Sequence, residues 1–181
     1  MSLLTIVMYH YVRDLSYSKY PSIKGLSIDK FNEQLLYIKK YYNVISADDL
    51  LGSIESAAEL PPTSLLLTFD DGYIDHFTNV FPILQGHRLS GLFFPPAKCI
   101  LESVVLDVNK IHFVLASVQD KRRVINDIYD YIKKYRSSYE LKDSEYYWKL
   151  LTNDGHRFDS ADVNFIRKML QRELPESFRR V

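Results

Sequence analysis

The chain has 181 residues and a mass of 21.3 kDa, with 23 basic and 23 acidic side chains. Its 46% hydrophobic and 25% charged content belongs to a globular protein with a real core, which excludes a disordered chain. A formal charge of zero leaves no global field to gather nucleic acid or an anionic membrane, and a neutral substrate needs none. The N-terminal apolar run is about six residues long with no basic region before it, too short for a signal-peptide core. No stretch approaches a membrane span, so a cytoplasmic chain is expected. The 14 tyrosines and 10 phenylalanines are a heavy aromatic load that serves cores as readily as sugar stacking.

In chain order, Leu4 to Met8 reads as a strand, with Tyr9-His10-Tyr11-Val12 at its carboxyl end. Tyr17 to Gly25, rich in Ser, Tyr and Pro, is a loop. Ile28 to Tyr41 is an amphipathic helix with Ser27 as its N-cap. Val44-Ile45 is a short strand, and Ser46-x-x-Asp49 is a capping box opening a helix through Leu51 and toward Ile54. After Pro61-Pro62, the leucine-rich run Ser64 to Phe69 reads as a buried strand of a parallel sheet. It stops abruptly in Asp70-Asp71-Gly72.

That end is where chemistry would sit, because ligands of α/β folds bind beyond the carboxyl ends of strands. Gly72 lets the backbone turn so that both carboxylates stay near the strand mouth. One of the pair can then hold a cation and the other act on its water. The plainer alternative is a turn with a helix N-cap. Tyr73 to Gln85 follows as a helix bent by Pro82 and stopped by Gly86. His76 and His87 flank it, eleven residues apart, and surface polar roles are expected for both. Leu89 to Phe94 is a fourth strand, ended by Pro95-Pro96, and the alternation of strand and helix argues for parallel pairing. Cys99, the single cysteine, excludes an intrachain disulfide and reads as a small buried hydrophobe.

Beyond Pro96 the pattern turns almost wholly helical. Ile111, Val114, Leu115 and Val118 make one apolar face, and Val124, Ile125, Ile128 and Ile132 a second. Tyr146, Tyr147, Leu150 and Leu151 suggest a third. Asn153-Asp154-Gly155 is a turn, Asp159 or Ser160 caps a further helix through Leu170, and Pro175 starts one that runs to Val181.

Thr68-Phe69-Asp70-Asp71-Gly72 resembles the TFDDG motif of the polysaccharide deacetylases, the NodB-homology group of carbohydrate esterase family 4. Ile6-Val7-Met8-Tyr9-His10 is similar to that family's opening "MYH" strand, and Phe31 to Leu50 to its helix, strand and S-x-x-D-L turn. Phe81-Pro82-Ile83-Leu84 and Gly91-Leu92-Phe93-Phe94-Pro95 are similar to the next helix and strand, so the resemblance covers residues 4–100. It implies an α/β fold: a partial distorted (β/α) barrel over 1–100, followed over 101–181 by a helical insertion or subdomain. It implies metal-dependent deacetylation of an N-acetylated, occasionally O-acetylated, sugar. Asp70 would be the general base, Asp71 a ligand of a divalent metal (zinc first, with cobalt, manganese or nickel as other fits), and His10 a residue lining the substrate site.

Three protein ligands let a divalent cation activate water for such a reaction. The histidines at 10, 76, 87, 112 and 156 include no pair four apart, so the family's H-[ST]-x-x-H motif is missing, and the metal site is incomplete in this chain. The later arginine, Asp-Trp and Leu-x-His segments are missing too; Trp148 follows Tyr-Tyr. Two explanations follow: the chain is the front part of a longer deacetylase, inactive alone, or a non-catalytic carbohydrate- or partner-binding relative. Retention of two adjacent carboxylates at a strand mouth favours the first, since their repulsion needs a cation or proton to offset it. Phosphoryl transfer fits less well, because it uses an Asp-x-Asp spacing. A barrel cut open would expose a strand edge and an apolar face and favour a homo-oligomer.

Overall fold

Strand β3, Ser64–Asp70, is the spine of the first part of the chain. The computed structural model describes residues 3–153 and 159–179. It separates two units, Met1–Val104 and Val105–Val181, each with its own buried cluster. In the first unit β1 (Leu4–Tyr9) runs parallel to β3, in register from Leu4↔Ser64 to Tyr9↔Phe69. The other edge of β3 takes two short parallel partners, β2 (Asn43–Val44) at its start and β4 (Leu92–Phe94) at its end. The α/β organisation and the parallel pairing expected from the sequence are therefore present. The described strands form an open four-stranded sheet.

Alternation along β3 sends Leu65, Leu67 and Phe69 to one face, where they meet Tyr9, Val12, Val80 and Leu84. Helix α1 (Ile28–Tyr41) covers this face with Phe31, Leu35 and Ile38, its spacing of four and three forming one stripe. Ser27 caps α1 by accepting the Lys30 amide. Helix α2 (Ala47–Ser56) opens with a complete capping box: the Asp49 amide donates to Ser46 Oγ, and the Ser46 amide to Asp49 Oδ2. The opposite sheet face carries Ile6, Met8 and Phe94, each more than half exposed.

Several boundaries differ from the sequence expectation. Strand β2 begins one residue earlier than Val44-Ile45, and β4 is shorter than Leu89–Phe94. The helix expected over Tyr73–Gln85 comes in two pieces, a π-helical turn at His76–Val80 and then α3 (Phe81–His87). Pro82 lies in the first turn of α3, directly after the π-helical turn. The helix ends at Arg88, whose φ is 56°, and not at Gly86. Helix α4 (Ala97–Leu101) closes the unit and carries a half-buried Cys99, more open than the buried hydrophobe expected.

In the second unit α5 (Asp107–Ser117), α6 (Lys121–Tyr135), α7 (Ser144–Thr152) and α8 (Ala161–Lys168) follow in order. Ile125, Ile128 and Ile132 of α6 pack with Tyr147 and Leu151 of α7 and with Phe165 and Ile166 of α8. Asp120, Asp143 and Ser160 cap their helices by accepting the amides of Arg122, Tyr146 and Val163. A π-helical turn, Met169–Glu173, precedes α9 (Glu176–Arg179). Of the expected turn and terminal helix, Asp154, Gly155, Arg180 and Val181 lie outside the described residues, as does His156. No described helix is long and apolar enough to cross a membrane.

Candidate active site

Strand β3 delivers Asp70 half-buried at its carboxyl end, level with Phe94 of β4 in the register. The next two residues are both left-handed, Asp71 at φ 73° and Gly72 at φ 61°, so the chain reverses at once. Aspartate tolerates that region better than most residues. Only glycine fits the second position, because a Cβ there would lie 2.7 Å from Pro95 Cβ and 2.9 Å from Pro95 Cα. The turn is thus wedged against the corner that ends β4, and both carboxylates stay at the mouth.

Their surroundings differ. The Tyr73 hydroxyl donates to Asp71 Oδ2 at 2.5 Å, and the Tyr73 ring stacks on Tyr11 with centroids 4.0 Å apart. Burial, followed by its bonds to Asp71 and Tyr11, pushes the Tyr73 phenol far above its ordinary range, so it remains a protonated donor. The Asp70 side chain has no hydrogen-bond partner among the described residues. Neither carboxylate caps a helix among the described bonds. The next turn closes through the His76 amide and the Tyr73 carbonyl.

His10 follows Tyr9, the residue paired with Phe69, so it lies at the same end of the sheet as Asp70. Its residue surface is exposed, and its carbonyl accepts from His76 Nε2 at 2.7 Å. His76 corrects the expectation of a surface role. It is only 4% exposed, with its ring against Phe69, Tyr73 and Phe93. A carbonyl can only accept, which places the proton on Nε2 and leaves Nδ1 buried with no partner among the described residues. His87 is half-buried in the last turn of α3.

Two more contacts tie the loop after β1 to the segment after β3. Arg13 Nε meets Asp75 Oδ2 at 2.7 Å, and Asn79 Nδ2 donates to the Val12 carbonyl at 2.9 Å. Periodicity could not reveal Tyr11, Arg13, Tyr73, Asp75 or His76 as site-building residues. In this segment the usual rule is inverted: Ile74 and Phe77 are exposed while Asp75 and His76 are buried. The only sequence signal was position, just past the ends of two neighbouring strands.

A divalent cation held by protein needs about three donors with a defined geometry. Among the described residues no three His, Cys, Asp or Glu side chains gather to supply them. Asp71, moreover, has given one oxygen to Tyr73. Among the described residues the carboxylate pair does not fit a complete cation site.

Solved structures similar to this chain include three bacterial proteins. A de-N-acetylase from Aggregatibacter actinomycetemcomitans shares 24% identity with a TM-score of 0.48, over 56% of this chain and 40% of that one. The deacetylase PplD from Streptococcus pyogenes, solved in complex with acetate, shares 14% identity with a TM-score of 0.44, over 92% and 80%. IcaB from Ammonifex degensii shares 18% identity with a TM-score of 0.44, over 92% and 82%. Two of the three are deacetylases by name. The chain spans 40% of the length of the first. No protein-family model and no curated protein matches it.

Proposed function

We propose that this chain carries the carboxylate half of a metal-dependent deacetylase site acting on an N-acetylated sugar, within a (β/α) barrel that the open sheet begins. The observation that carries the reading is the Asp70-Asp71-Gly72 turn, held by two left-handed residues and Pro95 at the carboxyl mouth of a parallel strand. Amide hydrolysis needs a base for the attacking water, and Asp70 is half-buried, unpartnered among the described residues and placed at the mouth. A divalent cation would supply polarisation of the acetyl carbonyl, with Asp71 as one ligand and the remaining donors outside the described residues. Sugars are neutral, which suits a chain with no net charge.

The test is acetate release from N-acetylglucosamine oligomers by the protein as its native source makes it, with zinc added. Asp70→Asn is expected to cost at least ~10²-fold in rate while metal content stays near wild type. Asp71→Ala is expected to lose both. Equal metal loss in the two variants would sink this division of roles. The bond between Tyr73 and Asp71 favours a second reading, a binding relative with a self-satisfied turn. Sugar binding without acetate release, in the native protein with metal supplied, would select it.

A further inference from the structure

Asp70 and Asp71 are neighbours with the same side chain, yet the fold treats them differently. Asp71 is left-handed, so strand alternation does not set where its carboxylate points. What sets it is Tyr73, whose 2.5 Å bond to Oδ2 has the length of a charge-assisted hydroxyl–carboxylate pair. Tyr73 is fixed in turn: its ring lies on Tyr11, which is only 4% exposed, and the Arg13 guanidinium lies 4.6 Å from the Tyr11 centroid. Arg13 is paired with Asp75, two residues beyond Tyr73. The loop after β1 thus holds Tyr73 in place within the segment after β3.

We propose that Tyr73, backed by Tyr11, is a positioning residue that divides the work of the carboxylate pair. It ties one oxygen of Asp71 and leaves the other available, whereas the Asp70 side chain carries no such tie among the described residues. The division rests on the deacetylase reading for its purpose, but the asymmetry itself stands on geometry. A Tyr73 that merely filled space would act through its ring, and the ring survives in Tyr73→Phe.

The experiment is carbodiimide-driven amidation of the folded full chain with glycinamide, resolved at each aspartate by fragmentation mass spectrometry. Asp70 should react several-fold faster than Asp71. Tyr73→Phe should raise the Asp71 rate several-fold and leave the Asp70 rate unchanged. Equal rates in the wild type, or an Asp71 rate unmoved by Tyr73→Phe, would overturn the proposal. If Tyr73→Phe does not fold, the wild-type proton spectrum decides. A downfield, exchange-protected tyrosine hydroxyl that disappears in Asp71→Asn supports it, and its absence from the wild type overturns it. The same asymmetry in a native protein that releases no acetate would sink the deacetylase reading and leave the positioning role in place.

Discussion

Gly72 is the residue on which the geometry of the mouth depends. It combines a φ of 61° with a contact that any Cβ would violate at backbone distance from Pro95. Gly72→Ala should therefore destabilise the first unit by about 1–3 kcal/mol. The lost stability should come with a shift of the Asp70 and Asp71 resonances in the heteronuclear spectrum. A variant as stable as the wild type with an unchanged spectrum would show that Pro95 yields and that the turn is not wedged. Asp-Asp-Gly was visible in the sequence as a turn. That the first left-handed residue would be Asp71 itself was not, because a positive φ at aspartate depends on what the flanking chain allows.

At the scale of elements, β1 is attached to α1 through Tyr9, whose hydroxyl donates to Gln34 Oε1 at 2.9 Å. Its ring packs edge-on to Phe31 and stacks on Phe69. Burial pushes the Tyr9 phenol up to about 12 from its ordinary 10.0. The folded state therefore holds this proton more tightly than the unfolded state. The contribution is fully present below pH 10 and is lost as pH rises toward about 12, where the folded form also ionises. The urea midpoint should fall across that window, and less so in Tyr9→Phe. Identical slopes in the two proteins would mean that Tyr9 ionises like an exposed phenol. Helix α1 and the strands were legible because a 3.6-residue stripe and a leucine run each imply one burial pattern. The segment after β3 was not, because its π-helical turn departs from the 3.6-residue spacing by which a buried face is read.

For the whole molecule, two separate apolar clusters mean two separable stabilities. Phe165 is fully buried in the second cluster among Tyr129, Trp148 and its other neighbours. Phe165→Ala should cost about 3–5 kcal/mol through lost burial and the cavity left behind. Amide exchange should accelerate in α6, α7 and α8 while the β3 amides keep their protection. Equal acceleration in β3 would show that the units unfold as one.

The amino-acid sequence by itself determined the parallel α/β half, the capped helices, the helical second half and the Asp70-Asp71 pair at a strand mouth. These follow from local periodicity, caps and turn chemistry, which act over a few residues. Only the tertiary structure decided that Tyr73 holds Asp71 and that His76 is buried beneath the mouth against the His10 carbonyl. It also decided that Arg13 and Asp75 bind two loops together. Those contacts join residues up to 66 positions apart. Their energies depend on distance and burial in space, which no local pattern along the chain encodes.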